Sequence, residues 1–184
     1  KTHSNIMRPG LGVGGYCLTK DPGFSKISSK YIFKKQNNFP LTLKSVLINK
    51  NMPHNSHNFI KKNLPKKKYK ILMMGAAYRQ DVDDLRYSPS IELFNLLKKN
   101  GHKVKIYDPN IQNLEKNNFF IKKMPSFKNY DVVVFCVAHK KFKGINFSQL
   151  PIEPHYFDIN MVLDNKIKKQ LKQKNFKIKT LGDD

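Results

Sequence analysis

Lys70-Ile71-Leu72-Met73-Met74-Gly75-Ala76-Ala77-Tyr78-Arg79-Gln80-Asp81-Val82-Asp83-Asp84-Leu85-Arg86-Tyr87-Ser88-Pro89 is the stretch on which the fold turns. Lys70 to Met74 is a short, continuous apolar run, the pattern of a strand buried on both faces. Gly75 and the small Ala76 and Ala77 close it. Ser88 and Pro89 then open a helix, with serine as the N-cap and proline at the first helical position. Ile91, Phe94 and Leu97 form the stripe of that helix, and Gly101 ends it. Strand, glycine turn and helix in that order describe one βα unit.

Downstream the alternation continues. Strands are predicted at Lys103 to Tyr107, Phe119 to Ile121, Asp131 to Val137, His155 to Ile159 and Phe176 to Leu181, and a short basic helix over Asn165 to Gln173. This predicts an α/β fold, a Rossmann-like parallel sheet wrapped on both faces. Upstream, Leu41 to about Leu64 reads as a helix with Leu43, Val46, Leu47, Phe59 and Ile60 on an approximate apolar face. Pro53 within it predicts a kink or a break. Phe24 to Phe33 gives a shorter helix, and residues 1–22 read as loop. The chain therefore divides into a loop (1–22), a central helical segment (23–64) and an α/β domain (65–184).

Thirty-five Lys and Arg stand against thirteen Asp and Glu, a net charge of +22. Such a charge favours anionic partners. The lysines are spread through the chain and mixed with asparagine, as in Lys98-Lys99-Asn100, and the densest run, Lys66-Lys67-Lys68-Tyr69-Lys70, is short. With no helix-turn-helix, zinc-finger or RRM-type motif, a compositional habit is preferred to nucleic-acid binding. Cys17 and Cys136 are the two cysteines. Cys136 lies in the apolar run Val132 to Val137 and reads as a small buried hydrophobe. No disulfide framework is implied, which suits a reducing cytoplasm. No stretch approaches membrane-spanning length. His54 and His57 lack a third ligand at suitable spacing and read as surface histidines, so no metal is expected.

Two segments carry candidate chemistry. Arg8 to Pro22, RPGLGVGGYCLTKDP, runs a glycine-rich turn into Cys17, with Lys20 and Asp21 close behind. Gly10 to Gly15 formally matches G-x-G-x-x-G, but His3 to Pro9 is poor strand material and Pro22 and Gly23 stop any long helix, so the dinucleotide fingerprint is rejected. The pattern fits an activated thiol. A flexible glycine loop with an inert cysteine fits the composition equally well. The second segment, Gly75 to Arg86, lies beyond the carboxyl end of a strand, where open parallel sheets bind ligands. Arg79 and Arg86 offer forked donors suited to phosphate. An ordinary solvated loop, with Asp81, Asp83 and Asp84 in local ion pairs, is the alternative.

RPGLGVGGYCLTKDP resembles the active-site loop of the nucleotide-sugar 6-dehydrogenases, the UDP-glucose and UDP-N-acetylhexosamine dehydrogenase family. Ile71 to Pro89 resembles their LGxAYKxDxDDLRxSP signature, and Ile48-Asn49-Lys50-Asn51-Met52-Pro53 their IN-x-x-MP helix. The resemblance implies NAD-dependent, four-electron oxidation of a UDP-hexose or UDP-N-acetylhexosamine at C6, through a thiohemiacetal and a thioester. It implies Cys17 as nucleophile and Asp21 as the aspartate that assists water. Leu11, Gly12, Val13 and Gly14 would lie along the sugar nucleotide, and Tyr78 and Arg79 would contact it. Arg79 replaces the usual family lysine. Cys17 and Lys20 would lie on the nicotinamide side, Lys20 lowering the thiol pKa, and Arg86 would reach the NAD pyrophosphate. Lys1 or His3 falls near an arginine that reaches a neighbouring subunit's substrate. The central helix would form a homodimer.

One segment departs from the family. In Asp158-Ile159-Asn160-Met161-Val162-Leu163-Asp164, Asn160 and Met161 occupy the positions of a substrate arginine, which leaves UDP-N-acetylglucosamine, UDP-N-acetylmannosamine and UDP-glucose open. Family members begin with a dinucleotide-binding domain that nothing here resembles. The expectation is the C-terminal part of a longer enzyme, inactive alone yet able to bind UDP. The competing expectations are a basic, non-enzymatic αβ module for nucleic acid and an inactive truncated fragment.

Overall fold

The computed structural model describes residues 10–111 and 118–182. Three helices come first: α1 (Tyr16–Lys20), α2 (Phe24–Tyr31) and the long α3 (Pro40–Lys62). Beyond them the chain forms β1 (Lys70–Met74), α4 (Pro89–Lys99), β2 (Lys103–Tyr107), β3 (Phe120–Ile121), β4 (Val132–Phe135), β5 (His155–Asp158), α5 (Asn165–Gln173) and β6 (Lys177–Thr180). The six strands form one parallel sheet in the order β3-β2-β1-β4-β5-β6. This is the doubly wound α/β architecture that the alternation predicts.

Residues of β1 alternate between two cores, because successive side chains of a strand point to opposite faces. Ile71 and Met73, with Val132 and Val134 of β4, pack against Ile60 of α3 and Leu93, Phe94 and Leu97 of α4. Leu72, Met74, Val133 and Phe135 pack on the other face with Phe142, Leu171 and Phe176. All four of these β1 residues are fully buried, which is why the run is apolar without alternation. The Ser88 hydroxyl accepts the Ser90 N–H at 3.2 Å and donates to the Ala76 carbonyl at 2.6 Å, so one side chain caps α4 and ties it to the turn after β1. At the other end Gly101 takes φ 82°, the left-handed conformation of a helix-terminating glycine.

The structure departs from the sequence reading at three places. Tyr16–Lys20 is helical rather than loop, and Asp21–Gly23 continues it as a 3-10 turn. No side chain caps this helix. Tertiary contacts hold it instead: the Tyr16 ring meets Tyr87 edge-on at 5.2 Å, and the Arg86 guanidinium lies over it at 4.9 Å. Second, α3 runs through Pro53 without a break. Third, His57 is buried on α3, not on the surface, and that burial lowers its pKa. Among the described residues no cluster of three potential metal ligands occurs, and no helix is long and apolar enough to cross a membrane. Lys1, His3, Arg8 and Pro9 lie outside the described residues.

Candidate functional site

In this strand order the chain leaves β1 and β4 in opposite directions, which opens a crevice beyond their carboxyl ends. Gly75 makes the first turn there. Its φ is 98°, and a Cβ would lie 2.5 Å from the Val137 Cβ, so only glycine fits. Asp108, beyond β2, organises the turn past Gly75. Its fully buried carboxylate accepts the N–H groups of Ala76 at 2.7 Å, Ala77 at 3.0 Å and Asn110 at 2.9 Å, and lies 3.0 Å from His139 Nε2. His139 Nδ1 accepts the Asp81 N–H at 3.0 Å, which assigns the ring proton to Nε2 and makes it the donor to Asp108. Burial pushes the Asp108 pKa up, but the His139 bond and the three N–H donors outweigh it and hold the carboxyl below its ordinary value. The Asp81 carboxylate in turn accepts the Lys140 N–H at 2.9 Å. The turns after β1, β2 and β4 thus share one polar network, buried at Asp108 and His139 and exposed at Asp81.

The glycine loop docks on this edge. Leu11 is 1% exposed and belongs to the core that contains Ile60, Val137 and Ile159. Its N–H donates to Asn160 Oδ1 at 3.2 Å, and Asn160 Nδ2 donates to the Cys136 carbonyl at 2.7 Å. Asn49 of α3 accepts the Val13 N–H and donates to the Val13 carbonyl, both at 2.8 Å. The Gly15 N–H donates to the Arg86 carbonyl at 3.0 Å. A Cβ on Gly14 would sit 2.6 Å from the Tyr87 oxygen and 2.7 Å from the Tyr78 Cβ, and one on Gly15 2.8 Å from the Tyr78 ring. These glycines let the loop lie against the turn after β1.

Most of the sequence-predicted residues gather at this edge. Cys17 is exposed on α1, two residues beyond the Gly15–Arg86 contact. Lys20 and Asp21 form a half-exposed ion pair at 3.1 Å, and the Lys20 ammonium also lies 4.5 Å over the Phe24 ring. Tyr78 is half-buried with its ring on Gly15, and Arg79 is exposed. Arg86 Nη2 lies 2.6 Å from Asp84 Oδ2, and its Nε contacts both carboxylate oxygens. Each partner shifts the other, Asp84 downward and Arg86 upward. The local ion pair expected of a solvated loop is therefore present, and it holds Arg86 over Tyr16 beside the cysteine helix. Sequence reasoning missed Asp108 and His139. The only signal was Asp108-Pro109 directly after a strand, at the edge where ligands bind.

A doubly wound α/β domain with a glycine turn after its first strand defines a nucleotide-binding type of fold. Residues 72–165 match the UDP-glucose/GDP-mannose dehydrogenase family, UDP binding domain, and the chain belongs to that family. It is 32% identical, over 97% of its length, to the UDP-N-acetyl-D-mannosamine dehydrogenase of Methanococcus vannielii, of which it covers 41%. To the UDP-glucose 6-dehydrogenase of Rickettsia prowazekii it is 28% identical over 91% of its length, again covering 41%. The solved structure of NDP-N-acetyl-D-galactosaminuronic acid dehydrogenase from Methanosarcina mazei shares the fold, with TM-score 0.82 over 97% of this chain and 40% of that one at 24% identity. The chain thus spans about two fifths of the length of the curated relatives it matches.

Proposed function

We propose that this chain is the UDP-sugar-binding, cysteine-bearing portion of an NAD-dependent nucleotide-sugar 6-dehydrogenase. The carrying observation is the docking of the cysteine loop on the matched nucleotide-binding domain. Gly14 and Gly15 pack on Tyr78 and Tyr87, and the Gly15 N–H meets the Arg86 carbonyl, so Cys17 stands beside the turn after β1. Functionally, residues 1–22 carry the nucleophile, 23–64 the subunit contact and 65–184 the nucleotide site.

In this reading Arg79 and Tyr78 hold the UDP moiety, with the backbone of Leu11 to Gly14 along the sugar nucleotide. The exposed Arg86 guanidinium, held by Asp84 along one side and lying over Tyr16 of the helix that carries Cys17 and Lys20, fits a diphosphate of NAD at its open face. NAD, held by Arg86, would supply the hydride acceptor for each of the two oxidations at C6, one equivalent per oxidation. The Cys17 thiolate adds to the C6 aldehyde carbon, and the carbonyl oxygen takes a proton to give a thiohemiacetal. Its oxidation leaves a thioester on Cys17. Asp21 accepts a proton from the water that attacks the thioester carbon, and the uronic acid leaves as the thiolate is restored. Leu41, Leu43, Leu47 and Ile48 are exposed on the first half of α3, which supports a homodimer through that helix. Two unpaired cysteines suit a cytoplasmic setting.

Calorimetric titration with UDP tests the reading. The chain binds UDP, and Arg79→Ala weakens binding roughly ten- to a hundredfold, the worth of one charged hydrogen bond. Binding to duplex DNA with no response to UDP or to Arg79→Ala overturns it in favour of a nucleic-acid module.

A further inference from the structure

We propose that Asn49 and Asn160 are positioning residues, two side-chain amides that clamp the glycine loop at Val13 and at Leu11 and set the shape it presents to substrate. The inference deepens the function proposed above and rests on it. Asn49 meets both peptide groups of Val13 at 2.8 Å, as a neighbouring β-strand would. Asn160 spends Oδ1 on the Leu11 N–H and Nδ2 on the Cys136 carbonyl, tying the loop to the end of β4.

The surrounding residues are shaped for these contacts. A Cβ on Gly10 would overlap Asn160 Oδ1. Gly12, at φ 120°, would place a Cβ 3.2 Å from the Met52 Cβ and 3.4 Å from the Asn49 carbonyl oxygen. Pro53 stands four residues after Asn49 and has no N–H to take that carbonyl, so the helix itself leaves the oxygen facing the loop. Asn160 is held as firmly. The fully buried Asp158 accepts the N–H groups of Asn160 at 3.4 Å, Val162 at 2.8 Å and Leu163 at 3.1 Å, and pairs with Lys168 Nζ at 3.2 Å.

The clamps restrict what the loop can offer a ligand. The Leu11 N–H and both peptide groups of Val13 are committed to them, so substrate contacts with this stretch run through its other peptide groups. Asn160 stands where the family resemblance implies a substrate arginine, yet both ends of its amide are spent inside the protein. It acts on substrate through the loop.

The test uses the intact 184-residue chain, with UDP as probe and hydrogen exchange at the Val13 amide as the second readout. Asn49→Asp keeps the acceptor for the Val13 N–H but sets a carboxylate against the Val13 carbonyl. Asn49→Gln stays neutral but is one methylene too long. Both variants are expected to speed exchange at Val13, leave β1 and β4 amides unchanged, and weaken UDP binding about tenfold, the loss of one or two neutral hydrogen bonds. The Asn49→Asp loss relative to wild type shrinks as the pH falls and the new carboxyl regains a donor. The Asn49→Gln loss does not. If Asn49→Gln binds UDP like wild type, the Asn49→Asp effect is mere anion repulsion and the clamp is overturned. Unchanged Val13 exchange in both variants overturns it also. A wild-type chain that ignores UDP instead refutes the proposed function, and Val13 exchange still decides the clamp.

Discussion

Asp108→Asn removes one charge and leaves the shape of a fully buried carboxylate at the ligand edge. The wild-type carboxylate takes four donors: Ala76, Ala77, Asn110 and the His139 ring. Three of them converge on Oδ2, so the amide oxygen of the variant will settle there. Its NH2 group must then face the Asn110 N–H, a donor against a donor. Bonds to a charged acceptor are worth about 1 kcal/mol more each than neutral ones, and a buried unmatched donor costs about 1–3 kcal/mol. Relief of burying the charge offsets part of this. The net loss is about 3 kcal/mol, or a drop in Tm of about 6–12 °C for a domain of this size. Circular dichroism melts across pH give the check. Asp108 has a folded pKa below its unfolded value, so its stabilisation is full above the unfolded pKa of about 3.9 and is lost as pH falls through the folded value. The gap between wild type and variant should therefore be constant from about pH 8 to pH 5 and close below about pH 4. A gap under about 3 °C at pH 7, or one that persists unchanged to about pH 3, refutes the argument that this charge organises the edge.

Cys17 is exposed, whereas Cys136 is fully buried, with its thiol pKa pushed far up by burial and by Asp158. One thiol per chain should react with Ellman's reagent under native conditions and two in denaturant, and Cys17→Ser should abolish the native reaction; two fast thiols in the folded chain would contradict the burial. Leu43 and Leu47, four apart on α3, are exposed, so the wild type should sediment as a dimer and the Leu43→Glu, Leu47→Glu double variant as a monomer with an unchanged circular dichroism spectrum. A monomeric wild type removes the dimer from the proposal.

The parallel sheet was legible because its signals are local. β1 and β4 are apolar runs, Ser88-Pro89 starts α4 within two residues, and Gly101 ends it. Each is set by a few neighbouring residues that need no partner from elsewhere in the chain. α1 was not legible, for the opposite reason. Five residues without a cap cannot hold a helix by propensity, and the ring and guanidinium that receive Tyr16–Lys20, those of Tyr87 and Arg86, lie about seventy residues away. His57 reads as polar and therefore exposed, but α3 lies along α4 and buries that turn.

The candidate site divides along the same line. Cys17, Asp21, Tyr78, Arg79 and Arg86 stand out as residue types in motifs, whereas the groups that hold their backbones do not. Asn49 reaches a loop 36 residues away and Asn160 one 149 residues away, and Asp108 joins His139 across 31. Asparagine is common in this lysine- and asparagine-rich chain, so composition hides the two that matter. What marks them afterwards is glycine. Gly10 faces Asn160, Gly12 faces α3 at Asn49 and Met52, and Gly14 and Gly15 face Tyr78. The spacing that imitates a dinucleotide fingerprint records where this loop passes close to its own protein. That explains why it carries so many glycines without the strand and long helix the fingerprint requires. A glycine-rich motif next to a reactive side chain is thus first a packing constraint. Its chemistry depends on the distant side chains that fill the space the missing Cβ atoms leave.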